Sequence, residues 1–407
     1  MHVIFIAPDF PANQRQFVRA LKAVGASVTG IGDVPPERID SQLRGWLSGY
    51  EHVRSLGDEQ ALLDAVRRVQ SRSWVDRLEC TVEAHMLSTA KVRETLQIPG
   101  LSYKQVLLCR DKLLMKQYLR EKGIACGRNT AVDTADDARR FCEEVGYPVI
   151  LKPRDGAGAH DTTRIDNRQQ LEDTIRRFGL DKTRRFVTME EFYSGHEGFY
   201  DTMTINGKVV FEAISHYYPN VLDAMRTREL SPYVITTNRV DSAGYNELKD
   251  FGLRVIKALE LTTTPTHMEW FFGNRGLWFG EIGARPPGVR FWDLYCISNE
   301  MDLYKEWARG ICWSAYEGRP TRHYSAALIS LRPDRDGRIR AYEGLDEVQR
   351  RVGNCLAEVH LPPVGSPTAE VGAGYMAHAW MHVKHPDYDE LKNILDYIGR
   401  TVKVRAG

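Results

Sequence analysis

Two glutamates, Glu269 and Glu281, are the residues of this 407-residue chain whose types and spacing most directly imply chemistry. The stretch from His267 to Arg285 is apolar and aromatic on either side of Gly273, Asn274, Arg275 and Gly276. It reads as two strands joined by a turn. With Asn274, Arg275 and Gly276 as the loop, the two carboxylates oppose each other across an antiparallel pair, with Cβ atoms about 5 Å apart. Opposed like charges destabilise a sheet, so a cation belongs between them. Mg²⁺, which takes one or two carboxylates plus substrate phosphates, suits that place. In this register Met268, Trp270, Phe272, Trp278 and Ile282 share a core face. His267, Glu269, Phe271, Phe279 and Glu281 share the other. A half-exposed hairpin with two solvated glutamates fits the same residues. A two-residue turn would shift the register by one and part the carboxylates.

Two further segments carry candidate chemistry. Arg154-Asp-Gly-Ala-Gly-Ala-His-Asp161 follows a strand that ends at Lys152 and Pro153. Small residues let a backbone fold close to a ligand, and successive N–H groups can cradle phosphate oxygens beside the Lys152 charge. No Gly-Lys-Ser/Thr follows, so this is not a Walker loop, and a plain turn is the alternative. In Met189-Glu-Glu-Phe-Tyr-Ser-Gly-His-Glu197 a strand stops at Ser194 and Gly195. Its last backbone groups could pair with the edge of an adenine ring, and Glu197 could accept from ribose hydroxyls. A hairpin exit with solvated acids is the alternative.

These pieces need a scaffold. A chain of 407 residues implies two or three domains or subdomains. Hydrophobic content of 43% and charged content of 27% are those of an ordinary globular protein. Net charge is 55 − 54 = +1, which gives no reason to expect a nucleic-acid or membrane partner. Seven scattered cysteines without metal-ligand spacing fit a reduced, cytoplasmic chain. The apolar N-terminus is short and runs at once into Pro8 and Asp9, so it reads as a first strand and not a signal peptide. Residues 3–6, 13–24 and 27–31 read as strand, helix and strand, the opening of a parallel sheet without a Gly-x-Gly-x-x-Gly fingerprint. A strand over 77–81 lies between helices over 58–70 and 83–97. Helices are predicted over 110–121, 247–259, 302–309 and 387–397. Strands are predicted over 149–153, 186–191, 325–331 and 375–383, and the segment 346–352 is grouped with the last two. Asn206-Gly207 marks a hairpin between 201–205 and 208–214.

The order of Lys112, Lys152 with its glycine loop, Glu190 to Glu197, Glu269, Glu281 and Arg285 resembles the ATP-grasp superfamily over roughly residues 100–310. The resemblance is to its biotin-carboxylase-like branch, and most to stand-alone carboxylate–amine (amino-acid) ligases. It implies an α/β chain with a Rossmann-like domain over 1–100. An ATP-grasp domain follows over 101–319, with a lid at about 125–195, and a β-rich subdomain closes over 320–407. It implies that Lys112 and Lys152 contact ATP phosphates, and that Gly156, Gly158 and His160 belong to a covering loop. Glu190, Glu191, Phe192 and Tyr193 would serve adenine, and Glu197 the ribose. Glu269 and Glu281 would hold Mg²⁺, with Mn²⁺ as a substitute, and Arg285 would steady an acyl phosphate. The family's usual third metal ligand, an Asn, is here Gly283. The implied reaction joins a small-molecule carboxylate to an amine and releases ADP and phosphate, in an enzyme that is often dimeric in this family. Two other readings are an enzyme of the same superfamily using bicarbonate or formate, and a nucleotide-binding regulator without turnover.

Overall fold

The computed structural model describes residues 1–154 and 162–407. Strands β1 (His2–Ile6), β2 (Ser27–Gly32), β3 (Gly49–His52) and β4 (Arg77–Glu79) form a parallel sheet in the order β3-β2-β1-β4. Residues Val3 to Ile6 are fully buried, as expected of a parallel strand covered on both faces. The helix expected over 83–97 begins as a 3₁₀ turn, Glu83–His85, and continues as Met86–Thr95.

A second sheet, ordered β5-β8-β6-β7, contains β5 (Asn129–Val132), β6 (Val149–Pro153), β7 (Thr163–Ile165) and β8 (Val187–Glu191). It has its own apolar core, which includes Phe141, Leu151, Ile175 and Met189. Helix Lys112–Glu121 precedes this sheet. Its N-cap is Asp111, whose carboxylate accepts from the N–H groups of Leu113 and Leu114. That cap satisfies donors left open by the first turn. Asp111 also pairs with Arg154 at 2.6 Å, and the Lys112 N–H donates to the Arg154 carbonyl at 3.2 Å. The start of the helix is thereby fastened to the exit of β6.

The central antiparallel sheet begins with β9 (His196–Ile205), β10 (Lys208–Tyr218), β11 (Tyr233–Thr236), β12 (Thr264–Gly273) and β13 (Gly276–Gly283). Downstream come β14 (Ser325–Leu331), β15 (Ile339–Glu343), β16 (Leu356–His360), β17 (Ala379–His385) and β18 (Lys403–Ala406). The central order is β13-β12-β9-β10-β11-β14-β17-β16, so three strands from beyond residue 320 continue the sheet that carries the glutamates. Strands β15 and β18 pair separately. The segment 346–352 is not a strand. It forms helix Leu345–Val352, which buries Val348 and Val352 one helical turn apart. The strand expected at 375 starts only at Ala379.

The glutamate hairpin departs from the expected register in two compensating ways. Its turn has two residues, Asn274 and Arg275, with Gly273 opposite Gly276. This puts Trp270 opposite Phe279 and Phe271 opposite Trp278. A β-bulge follows, after which Met268 faces Ile282 and His267 faces Gly283. One residue of β12, Glu269, therefore stands against two of β13, Gly280 and Glu281. The bulge cancels the slip that the short turn introduces, and Glu281 returns to the face of Glu269. Below the bulge the faces of the aromatic pair are exchanged. Phe279 is buried in the core with Met268, Trp270 and Ile282, while Trp278 joins the opposite side and Phe272 is exposed.

A Cβ added at Gly280 would lie 2.9 Å from the Glu269 carbonyl oxygen and 3.0 Å from its Cβ. Gly280→Ala is expected to force the two strands apart and lower stability by about 1–3 kcal/mol, read from urea unfolding. An unchanged unfolding midpoint would show that the bulge tolerates a side chain.

Candidate active site

The face that carries Glu269 gathers side chains from three adjacent strands. Glu269 lies opposite Phe199, Phe271 opposite Glu197 and His267 opposite Asp201. Strand alternation therefore puts Glu197, Asp201, His267, Glu269 and Glu281 on one surface. The two glutamates of the pair respond to their surroundings in opposite directions. Burial, with the charges of Glu281 and Glu197 behind it, pushes the Glu269 carboxyl up to about 8. Burial works on Glu281 too, but Lys112 and Lys152 overcome it and hold its carboxyl below the usual range. Burial also pushes Glu197 up to about 7, although its carboxylate accepts from the Val221 N–H at 2.7 Å.

Helix Lys112–Glu121 supplies the opposing charge. Its Met115 sulfur accepts from the Ile282 N–H at 3.4 Å, which seats the helix on β13. Lys112 and Lys116, four residues apart, then point to the same side. Lys112 lies 3.5 Å from Glu281. Lys116 donates to Glu190 at 2.7 Å, and Lys152 stands 2.6 Å from the other oxygen of that carboxylate. Burial opposes the charge of Glu190, but the two lysines prevail and bring its carboxyl down to about 2. Lys152 is held above its ordinary value against burial by Glu190, Glu281 and Glu269.

The other expected residues are distributed as follows. Glu190 is not a source of spare backbone groups, because β8 is an inner strand paired to β5 on one side and β6 on the other. Its contribution is the side chain. The Glu191 N–H donates to the Arg128 carbonyl at 2.9 Å, and its carboxylate meets Arg275 at 2.6 Å. The Phe192 N–H is directed at the Pro148 carbonyl, and its ring lies under Arg164. The Tyr193 ring stacks on Trp278 with centroids 5.0 Å apart, and its hydroxyl donates to the Gly276 carbonyl at 2.6 Å. The end of β8 is thus pinned to the turn of the glutamate hairpin. Arg285 points toward the first α/β unit, where its Nε donates to Glu83 at 3.0 Å and Arg110 donates to the same carboxylate at 2.7 Å. Gly156, Gly158 and His160 lie outside the described residues.

Lys116, Glu83 and Asp201 contact candidate site residues and were not singled out from the sequence. Lys116 was legible as one helical turn beyond Lys112. Asp201 was legible as a residue of the same strand as Glu197, two alternations along on the same face. It accepts from His267 Nδ1 at 2.8 Å and from the Tyr295 hydroxyl at 2.5 Å. Glu83 carried no local signal, since its partners lie 27 and 202 residues away.

The donor set fits a hard divalent cation. Two half-buried, mutually repelling carboxylates face one another, and among the described residues no group of three or more His, Cys, Asp or Glu forms a protein-only cage. Such a site leaves coordination positions for water and phosphate oxygens, the pattern of Mg²⁺.

Comparison with known proteins places the chain among related sequences. Residues 111–195 match the family of the carbamoyl-phosphate synthase L chain, ATP binding domain. An L-arginine-specific L-amino acid ligase from Bacillus subtilis is 28% identical over 303 residues, covering 70% of this chain and 69% of that protein. An alanine–anticapsin ligase from Bacillus subtilis (strain 168) is 25% identical over 255 residues, and the match covers 55% of this chain and 52% of that protein. The crystal structure of an L-amino acid ligase from Bacillus licheniformis superposes with a TM-score of 0.79 at 18% identity, covering 100% of this chain and 98% of that one. That likeness establishes the fold.

Glu190→Gln is expected to leave two buried ammonium groups without their counter-ion and to cost about 3–5 kcal/mol near neutral pH. A carboxyl depressed on folding contributes stability above its unfolded value of 4.5, and loses it as pH falls from there toward 2. The gap between wild type and variant in urea unfolding should therefore narrow across that acid window. A gap that stays constant with pH would remove Glu190 from this role.

Proposed function

We propose that this ATP-grasp protein is an ATP-dependent ligase that activates a carboxylate as an acyl phosphate and passes it to an amine. The observation that carries this reading is the half-buried pair Glu269 and Glu281, opposed across the bulged hairpin, with the charges of Lys112, Lys152 and Lys116 acting on Glu281. The amino-acid ligases to which the chain is similar support an amino acid as one substrate and a dipeptide-like product.

The chemistry follows from charge. A carboxylate is a poor electrophile, and phosphorylation converts its oxygen into a leaving group. Phosphoryl transfer asks a protein for positioning and charge neutralisation more than for covalent help. Lys112 and Lys152 are the residues to neutralise phosphate oxygens, and Lys116 steadies Lys152 through their shared partner Glu190. Glu269 and Glu281 would hold Mg²⁺, which when bound would supply positive charge to offset the charge developing on the transferred phosphoryl group. Arg285, held by Glu83, is the cation to steady the acyl phosphate. Glu197, buried beside Glu269, is suited to a nucleotide hydroxyl. The nucleophile is a neutral amine, so the reaction ends with ADP, phosphate and an amide. No helix among the described residues is long and apolar enough to cross a membrane.

The test is ADP release with ATP, Mg²⁺ and a panel of amino acids, run beside bicarbonate and formate. Turnover is expected to require two amino acids, or one amino acid and another amine, and to stop on chelation of Mg²⁺. Glu281→Gln should lower the rate by roughly 100-fold or more. Unchanged ADP release in that variant would refute the metal assignment. Turnover with bicarbonate alone would favour the carboxylating branch. Tight ATP binding with no ADP release on any panel member would favour a regulatory protein.

A further inference from the structure

A second feature lies away from the glutamate pair. A partly open, mostly polar cavity of about 190 Å³ sits between the first α/β unit and the central sheet. Its walls include Arg77, Glu79, Arg93, Thr264, Arg285 and Trp307. At ~30 Å³ per water molecule, this space holds several waters or one small organic molecule.

Three charged residues border the cavity, and they are not equivalent. Strand β4 is the edge of its sheet, so its outward carbonyls need partners. Arg93 supplies them. Its Nε and Nη2 donate to the Leu78 carbonyl at 3.1 and 2.7 Å, and its Nη1 donates to the Leu101 carbonyl at 2.7 Å. The guanidinium of Arg93 is thereby spent on backbone. Arg77 and Glu79 are two apart on β4 and share a face, with Cα atoms roughly 6–7 Å apart. Each influences the other electrostatically. Yet among the described residues neither side chain makes a hydrogen bond, and no ion pair within 4.0 Å joins Glu79 to Arg77 or Arg93. Burial raises the Glu79 carboxyl against the opposing charges of Arg93 and Arg77. A cation and an anion thus face one polar cavity side by side without touching.

We propose that this cavity is a binding site for a free α-amino acid, separate from the Glu269 and Glu281 centre. An α-amino acid carries its ammonium and its carboxylate on one carbon, so a single molecule can bridge the pair. The ammonium would donate to Glu79 and the carboxylate would accept from Arg77, with the Thr264 hydroxyl beside them. Charge-assisted hydrogen bonds of this kind are the strong ones. Ala284, Arg285 and Pro286 also line the cavity, so occupancy bears on the segment that anchors Arg285 against Glu83. An amino acid bound here would act on the reaction from behind its arginine.

The experiment is calorimetric titration of the full chain, without ATP or metal, with the set of common amino acids. It does not depend on turnover, so its failure and the failure of the ligase reading are separable. At least one amino acid is expected to bind, and Glu79→Gln and Arg77→Gln should each weaken it at least tenfold. For a ligand that binds, the N-acetyl derivative lacks the ammonium and the amide lacks the carboxylate. Both should lose at least tenfold in affinity with the unmodified protein, a control that needs no variant to fold. Binding that both variants leave unchanged would locate the ligand elsewhere and overturn the proposal. Full affinity in either analogue, or no binding by any amino acid, would overturn it as well.

Discussion

The structure turns on repulsion between two carboxylates. Glu269 and Glu281 are half-buried on the same face of adjacent strands, where the surrounding protein limits their solvation. Much of the surrounding architecture serves to make that placement tolerable. A capped helix is fastened to β6 at one end and seated on β13 through Met115, so that Lys112 reaches Glu281. Lys152 adds its field from the end of β6, while Glu190 holds Lys152 and Lys116 in place. The residual imbalance falls on Glu269, whose carboxyl is the one pushed up. A hard cation is the natural complement to that imbalance.

The hairpin shows how a small geometric detail sets chemistry. A two-residue turn alone would send the second glutamate to the wrong face. The extra residue at Gly280 restores it, and only a residue without a side chain leaves room for the Glu269 backbone. The same irregularity assigns two neighbouring aromatics to different tasks. Phe279 fills the core, and Trp278 forms a platform on which Tyr193 stacks. Functional geometry here is produced by a defect in the ladder, a common use of bulges near active sites.

The sequence made some features legible and hid others for physical reasons. Alternation of residue types exposed the strands around Glu269 and Glu281, and Asn206-Gly207 announced the β9–β10 hairpin correctly. The opposition of the glutamates was read correctly, but through the wrong turn and without the bulge. Turn length and bulge cancel at Glu281 and differ only in between, so the error surfaced at Trp278 and Phe279. Residue types in 346–352 were ambiguous without their partners, and the spacing of Val348 and Val352 carried the helix. Lys116 and Asp201 lay at helical and strand spacing from recognised residues. Glu83 could not be found locally, because its value comes from Arg110 and Arg285, brought to it by packing between distant segments. The sequence does not reveal that β8 is an inner strand, which leaves the side chain of Glu190 as its available group.

The continuity of the central sheet has a consequence for how such a chain can change over evolutionary time. Strands β14, β17 and β16 are not an appended module, because β11 hydrogen-bonds directly to β14 along four residue pairs. Deleting or exchanging the C-terminal segment would lay bare the long side of β11 as a raw edge open to other chains. It would also uncover one wall of the sheet that carries the glutamates. Change that spares this sheet is therefore change in loops and hairpin tips, because the segment after residue 320 completes the sheet that carries the glutamates.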